Sequence, residues 1–219
     1  MNDHDNNLKY VPKVRREFIV KGRNRIKALK TPRIFEVPYK YEQLQCSEDG
    51  KLCLEEIRKH YIDSPTGFEA CVIRIVEMMD NNFESFSLTQ PLRDGVRDTI
   101  GCYSISTDNQ ANFPLKIYCT LEAKCYNENH SVGVKNMSRL ISRIKYRQFG
   151  ILVTTSYVHD QAYREVAEDG HPILIITASD IAYILSGNMM DSSKITELLN
   201  NIDTNLSAKK CLLFLIIIV

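Results

Sequence analysis

Beyond residue 63 the chain alternates between segments with the apolar periodicity of amphipathic helices and short segments that are continuously apolar. Residues 64–79 place apolar side chains at helical spacing, and Ser64 or Thr66 can cap this predicted helix. The segments GILVTT (150–155) and ILII (173–176) have the uninterrupted apolar sequence of strands that are covered on both faces. This alternation predicts an α/β fold, in which helices flank a central mixed sheet.

The predicted elements from residue 64 follow the order helix, strand, strand, helix, strand, helix, strand, helix. Besides the segments above, we expect strands at 102–105 and 115–123 and helices at 52–61, 134–148, 158–168 and 179–185. A length of 219 residues suits one domain with a substantial arm. We therefore expect a basic arm with a short helical region at 1–62, a core domain at 63–187, and a C-terminal helix or apolar tail at 188–219.

Two groups of hydroxyl residues lie where helices are predicted to begin. Thr154, Thr155 and Ser156 follow a buried strand and precede a helix, so their expected role is N-capping. Ser179 begins the helix predicted at 179–185 and is expected to cap it.

The N-terminal arm concentrates the positive charge of the chain. The formal net charge is only +1, yet residues 9–33 contain ten basic side chains against the single acid Glu17. The rest of the chain is therefore acidic on balance. Such asymmetry indicates a polyanion partner, although many runs of this kind are only solvated surface.

The cysteines and the apolar segments of the chain indicate in which cellular compartment the protein acts. The seven cysteines form no CxxC pair and most lie in apolar sequence, which predicts reduced, buried thiols in a cytoplasmic protein. The polar start MNDHDNN does not resemble a signal peptide. Residues 212–219 (LLFLIIIV) are far fewer than the ~20 that span a bilayer, so we expect no membrane partner. This tail could be a buried strand, an oligomer contact or the product of a premature end.

The sequence LEAK (121–124) ends a strongly apolar predicted strand. Side chains alternate along a strand, so Glu122 and Lys124 point to one face, about 6–7 Å apart. Upstream, the turn RDGVRD (93–98) carries Asp98, and a hairpin between the two segments brings Asp98 beside Glu122. Two such carboxylates repel each other unless a divalent cation lies between them, and oxygen ligands of this kind suit Mg²⁺. An E-x-K sequence alone is more often a surface ion pair, but at the end of an apolar strand a charged pair is costly without a function.

Four segments, RDGVRD, LEAKCY, VGVKNMSRLISRIKYRQFGILVTTSY and QAYREVAEDGHPILII, resemble the Mrr-like restriction endonuclease group of the PD-(D/E)xK nuclease superfamily. The resemblance extends over residues 68–185, with the motifs in the family order, and implies a restriction-endonuclease-like three-layer core. By that resemblance Asp98 and Glu122 bind the metal, Lys124 is the catalytic lysine, and Glu69 is the acid on the preceding helix that assists the metal shell. Val96 departs from the family pattern, which usually has a second glycine there, so the turn differs or the site is impaired.

The predicted helix after this strand carries a second basic feature. Four basic side chains recur every four residues and form one stripe: Lys135, Arg139, Arg143 and Arg147. Beside an active site such a stripe contacts DNA phosphates, whereas elsewhere it is a solvated helix face. We expect DNA contacts from this stripe, from Gln148 at the end of the helix, and from four arginines of the arm, Arg15, Arg16, Arg23 and Arg25.

These features together predict a Mg²⁺-dependent DNA endonuclease of the restriction or host-defence type, type II-like or modification-dependent, with Mn²⁺ as a substitute ion. Its partner is double-stranded DNA, and we expect a homodimer because cutting both strands usually needs two active sites. Two alternatives stay open. The first is a nuclease-fold protein that binds nucleic acid without cutting it, and the second is a non-enzymatic α/β interaction module in which the E-x-K pair is structural.

Overall fold

The computed structural model describes residues 37–61, 65–88, 99–105, 114–144 and 148–217, with only the backbone described for 65–66 and 207–217. The basic run at 9–33 and the turn at 93–98 lie outside these ranges. Statements about the arm and about Asp98 therefore stay predictions.

A five-stranded mixed sheet forms the centre of the molecule. In chain order its strands are β1 (Phe83–Leu88), β2 (Thr99–Ile105), β3 (Leu115–Lys124), β5 (Phe149–Thr154) and β7 (Ile173–Ile176), which are also neighbours in that order. The pairs β1–β2 and β2–β3 are antiparallel, and β3–β5 and β5–β7 are parallel. Two short strands, β4 (Ser131–Val132) and β6 (Tyr157–Val158), form a separate parallel pair.

Helices cover both faces of this sheet. The described helices are α1 (Lys40–Leu44), α2 (Glu48–Tyr61), α3 (Pro65–Met79), α4 (Val134–Ile144), α5 (Asp160–Glu168), α6 (Ala178–Gly187) and α7 (Ser192–Ile217). Apolar side chains of α2, α3, α6 and α7 pack in one core cluster, while those of α4 and α5 pack in a second cluster. The prediction of a three-layer α/β core with a mixed central sheet is confirmed.

Strand β3 separates the two clusters because its side chains alternate between the faces. Cys119 and Leu121 belong to the cluster of α2 and α3. Leu152, which pairs with Glu122 across β3 and β5, belongs to the cluster of α4. Glu122 and Lys124 therefore lie on the α4 face of the sheet.

Helix α1 is attached to the core by the side chain of Gln43, which forms the two backbone hydrogen bonds that a neighbouring strand would form. The buried Gln43 on α1 donates from Nε2 to the carbonyl of Val158 (3.1 Å) and accepts at Oε1 from the amide of Val158 (2.8 Å). These two bonds satisfy both backbone groups of a β6 residue. They hold α1 beside β6.

Several features differ from the sequence-based expectations. Strand β1 was not predicted, because a register shift between Glu84 and Ser87 and a positive φ of 58° at Ser85 break the period-two pattern. Helix α6 is capped by Thr177, which forms a capping box with Asp180, rather than by Ser179.

Apolar residues near the C-terminal end of the chain form part of the last described helix. Helix α7 continues to Ile217, so a buried strand, one of the three alternatives left open for residues 212–219, is excluded as far as that residue. Ile195, Leu199 and Ile202 recur at helical spacing and are buried in the larger core cluster. Along the described part of the chain, none of the helices combines the length and the apolar character that crossing a membrane requires.

Candidate active site

The C-terminal end of strand β3 presents a carboxylate and an ammonium group to the α4 face. Glu122 is 4% exposed, and Lys124 Nζ lies 2.6 Å from its Oε1. The two residues share a face because they are two positions apart on a strand. Lys124 is 21% exposed, so its ammonium group is reachable from solvent while Glu122 is not.

Helix α4 adds two guanidinium groups to the same carboxylate. Arg143 Nη1 donates to Glu122 Oε2 at 2.5 Å, and Arg139 Nη2 lies 3.6 Å from Oε1. The two arginines are four residues apart, which places them on one side of the helix. Met137 and Leu140 of α4 pack against Leu152 of β5, and this contact fixes that side toward Glu122.

The charges of this cluster do not balance. One buried carboxylate faces three cations within 4.0 Å, namely Lys124, Arg139 and Arg143. Burying the carboxylate costs several kcal/mol unless it is paired, so the cations stabilise it. One cation would offset its charge, and the surplus favours an anion at the same place.

Glu122 offers one oxygen of the kind that a divalent cation binds. Glu122 Oε1 is buried and accepts no hydrogen bond of acceptable angle, although Lys124 Nζ is 2.6 Å away. A carboxylate oxygen with an unused lone pair fits Mg²⁺ or Mn²⁺, which prefer oxygen ligands. The described residues contain no group of three or more His, Cys, Asp or Glu side chains that could hold a metal ion. Glu122 thus fits as one ligand, and further protein ligands would have to come from outside those residues.

The pairing of β2 with β3 places Thr99, the residue that follows Asp98 in the sequence, close to Glu122. Thr99 pairs with Leu121 in the antiparallel ladder, directly before Glu122. Asp98 itself, with Asp94 and Val96, lies outside the described residues. Its predicted role as a metal ligand stays a prediction.

Glu69 lies on a helix that packs against the other face of the sheet. It lies half-buried on α3, whose Phe68, Cys71 and Val72 pack in the same cluster as Leu121. That cluster covers the face opposite to Glu122. The predicted assistance of Glu69 to a metal shell stays a prediction.

The predicted DNA-contacting residues occupy different parts of the molecule. Arg139 and Arg143 meet at Glu122, and Lys135 is exposed one turn earlier on α4. Gln148 accepts from the amide of Tyr118 (2.7 Å) and donates from its own amide to the carbonyl of Tyr118 (3.0 Å). This position is about 20 Å along β3 from Lys124. Five predicted contacts lie outside the described residues, Arg15, Arg16, Arg23, Arg25 and Arg147.

The segment after Lys124 is held by contacts that the sequence did not reveal. Thr155 Oγ1 accepts from the amide of Tyr126 (2.9 Å) and donates to its carbonyl (2.7 Å), while the Thr155 amide donates to the carbonyl of Lys124 (3.2 Å). Arg58 of α2 donates to the carbonyl of Thr155 (2.5 Å) and to Glu128 (3.1 Å).

The expectation that residues 154–156 cap a helix is wrong. His159 caps α5 through its ring nitrogen, which accepts from the amide of Gln161. Thr155 instead ties the end of β3 to the end of β5. A hydroxyl-rich segment at the carboxyl end of a buried strand, close to the proposed catalytic strand, was the signal that could have indicated this role.

Comparisons with known proteins bear on this arrangement. The Mrr_cat family model, described as "Restriction endonuclease", matches residues 63–185. The solved structure of the "DNA modification-dependent restriction endonuclease AspBHI" is 42% identical, with a TM-score of 0.71, over 80% of this chain and 45% of that one. The "MspJI Restriction Endonuclease in Complex with 27-mer Oligonucleotide" is 21% identical, with a TM-score of 0.66, over 77% of this chain and 39% of that one, and shows the fold alone.

The chain thus spans less than half the length of these two solved proteins. A comparison with curated proteins gives no match. The predicted family resemblance is confirmed by the family model and by the 42% identity to AspBHI.

Proposed function

The chain belongs to the restriction endonuclease family, and on that premise we propose that it hydrolyses phosphodiester bonds of double-stranded DNA with the help of Mg²⁺, for which Mn²⁺ can substitute. The observation that carries this proposal is the Glu122–Lys124 pair with its two arginines. The carboxylate is almost fully buried at the end of a strand, yet it is surrounded by more positive charge than it needs. Such an arrangement suits a polyanionic substrate.

We assign the metal to Glu122 and Asp98. The support for Asp98 is its position in the sequence directly before Thr99, which pairs with the neighbour of Glu122. Side chains of directly opposed residues share one face of an antiparallel pair, so the next position in this register suits a second ligand beside Glu122. When bound, the cation supplies Lewis-acid charge at the phosphate and lowers the pKa of a water molecule.

The side chains have separate tasks in this proposal. Lys124, 2.6 Å from Glu122 Oε1, orients the attacking water by donating a hydrogen bond from its ammonium group or, as the neutral amine, removes a proton from that water. Arg139 and Arg143 stabilise the negative charge that develops on the phosphate oxygens. Glu122 is fixed at the end of β3 beside Lys124, so its carboxylate is in place before the reaction begins.

The wider surface and the assembly belong to the same proposal. Lys135, Arg147, Gln148 and the basic arm contact the DNA backbone outside the active site. The protein acts as a homodimer, because two active sites are needed for a double-strand cut. The name of AspBHI describes a modification-dependent enzyme, and we extend that requirement to this chain. The six cysteines whose side chains are described are free thiols, which supports action in the reducing cytoplasm.

The test is cleavage of methylated and unmethylated duplex DNA by the purified chain with and without Mg²⁺. We expect metal-dependent cleavage that falls by about 10²–10⁴-fold in Lys124→Ala, the range for loss of a proton-transfer group. Cleavage should also fall in Glu122→Gln, because that variant loses a metal ligand. Arg74→Ala is the matched control, because Arg74 pairs with Glu77 on α3, away from the Glu122 face. Cleavage that persists in both site variants would contradict the assignment.

A second function, DNA binding without cleavage, is favoured by Val96, which stands where the family pattern has glycine. The same experiment distinguishes it. A wild-type chain that shifts the duplex in a gel but leaves it intact at every Mg²⁺ and Mn²⁺ concentration would support this function. Replacing Val96 with Gly would then be expected to restore cleavage.

A further inference from the structure

The cluster at Glu122 is arranged to keep a cation away from the very carboxylate that is proposed to bind it. Arg143 occupies Oε2 with a hydrogen bond of 2.5 Å, and Lys124 and Arg139 are both within 4.0 Å of Oε1. A divalent cation arriving at Glu122 would therefore meet three positive charges. At the effective dielectric constant of ~20 that suits such sites, this repulsion is substantial.

We infer that Arg143 acts as an exchangeable counter-ion of Glu122, so that a divalent cation and a DNA phosphate bind this site cooperatively. Without DNA, the guanidinium group is hydrogen-bonded to Glu122 and weakens metal binding. When a phosphate enters, its negative charge offers Arg143 an alternative partner, and Glu122 becomes available to the cation. Since coupling between two ligands is reciprocal, the cation strengthens DNA binding by the same factor. This inference rests on the proposed function, because it takes Glu122 as a metal ligand.

Arg143 suits this exchange better than the other two cations do. Lys124 is on the same strand as Glu122, so its main chain is fixed relative to the carboxylate. Arg139 is 3.6 Å away, 42% exposed, and makes the weaker contact. Arg143 is on a separate helix, is 17% exposed, and carries a planar fork that binds phosphate as well as it binds carboxylate.

A purely structural role for Arg143, fastening α4 to β3, predicts the opposite effect of its removal. If the ion pair only holds the site in shape, its loss loosens Glu122 and leaves metal binding unchanged or weaker. If Arg143 competes with the cation, its loss makes metal binding tighter. The direction of the change therefore separates the two roles.

The experiment measures Mn²⁺ binding to the full chain by isothermal titration calorimetry, without turnover as a readout. In the absence of DNA we expect Arg143→Gln to bind Mn²⁺ about tenfold more tightly than wild type, because one nearby positive charge is gone. Arg143→Lys keeps the charge and is expected to resemble wild type. Arg74→Gln, a change at an exposed arginine on the other layer, controls for net charge. Glu122→Gln should abolish the heat of Mn²⁺ binding, and that loss would assign the heat to this site.

The wild-type chain supplies a second test that does not depend on the folding of any variant. Mn²⁺ affinity is measured with and without saturating duplex DNA, modified or unmodified, and the duplex is expected to tighten it about tenfold or more. The same affinity in both conditions, or binding by Arg143→Gln no tighter than that of wild type, would overturn the inference. If either of these results is found but the wild-type chain still cleaves DNA in a metal-dependent way, the inference fails and the proposed function stands. If the wild-type chain neither cleaves DNA nor binds Mn²⁺, both the inference and the proposed function fail.

Discussion

At the scale of the residue, buried hydroxyl groups of this protein differ sharply in what they contact. Thr155 is fully buried, and its Oγ1 both accepts from and donates to the backbone of Tyr126. Thr99 is also buried, at 1% exposure, but its Oγ1 has no hydrogen-bond partner within the described part of the chain. The same side chain is therefore stabilising at one position and costly at the other, because a buried polar group is favourable only when it is paired.

An isosteric substitution at each position tests this difference. Thr155→Val keeps the shape and loses two hydrogen bonds, so we expect the free energy of unfolding to fall by about 1–3 kcal/mol. Thr99→Val removes an unpaired hydroxyl from the core, and we expect a neutral change or a gain of up to ~1 kcal/mol. Urea denaturation followed by circular dichroism measures both. Equal losses in the two variants would show that hydrogen bonding at Thr155 does not account for its effect.

At the scale of the element, the packing of β1 against β2 requires a glycine at position 101. A Cβ added at Gly101 would lie 2.4 Å from two ring carbons of Phe86, well inside van der Waals contact. Phe86 is packed against the larger core cluster, so its ring cannot retreat without losing that packing. Strand β2 begins at Thr99, which directly follows the predicted ligand Asp98 in the sequence. The geometry of β2 therefore bears on the proposed metal site.

Gly101→Ala is predicted to destabilise the protein by about 1–3 kcal/mol, the usual cost of forcing an extra methyl group into a packed region. Gly187→Ala is the matched control, because a Cβ there meets nothing within 4 Å and the residue is the last of helix α6. Alanine is the better helix former, so this control should be neutral or more stable by up to ~1 kcal/mol. Thermal unfolding compares the two variants with wild type, and a stable Gly101→Ala protein would contradict the packing argument.

At the scale of the whole molecule, buried thiols and phenols couple stability to alkaline pH. Burial raises the pKa of Cys71 from 9.0 to about 12, and burial likewise raises the pKa of Cys119 from 9.0 to about 12. Burial also raises the pKa of Tyr61 and of Tyr163 above the ordinary value of 10.0. In each case the native state holds its proton more tightly than the unfolded chain does.

The sign of the pH dependence follows from these shifts. Because the folded pKa values are raised, the native state has its full relative stability below pH 9, and the free energy of unfolding falls between pH 9 and 12 as the unfolded chain loses protons first. Each pKa unit corresponds to about 1.4 kcal/mol, so the buried thiols together contribute a loss of several kcal/mol, as an order of magnitude. Urea denaturation at a series of pH values measures the slope.

Two neighbouring substitutions on α3 separate this titration from simple loss of packing. Cys71→Ala and Val72→Ala both remove buried atoms and both lower stability at neutral pH. Only Cys71→Ala removes a titrating group, so only that variant should show a shallower decline between pH 9 and 12. Parallel declines in the two variants would contradict the assignment to the thiol.

Much of the fold was predictable because its signals are local. The strand at 173–176 was predicted from its uninterrupted apolar sequence, and the helix ends at Tyr61, Met79 and Glu168 were predicted from apolar spacing and the turn residues nearby. The period of two placed Glu122 and Lys124 on one face, and the period of 3.6 placed Arg139 and Arg143 on one side of a helix, as the structure has them. Strand β1 escaped prediction because its bulge and the positive φ of Ser85 remove the alternation on which such predictions rest.

The sequence by itself determined the α/β class, the position of the E-x-K strand and the family, because each depends on the order of residues along a few neighbouring elements. Only the tertiary structure decided that both arginines of α4 turn toward Glu122, that Arg58 and Thr155 hold the end of β3, and that Glu69 lies on a helix covering the other face. These contacts join residues that are distant along the chain, and local periodicity has no information about which distant partner a side chain meets. That choice is made when the two apolar faces of the sheet are covered, since the packing of each helix then fixes the direction of its polar side chains.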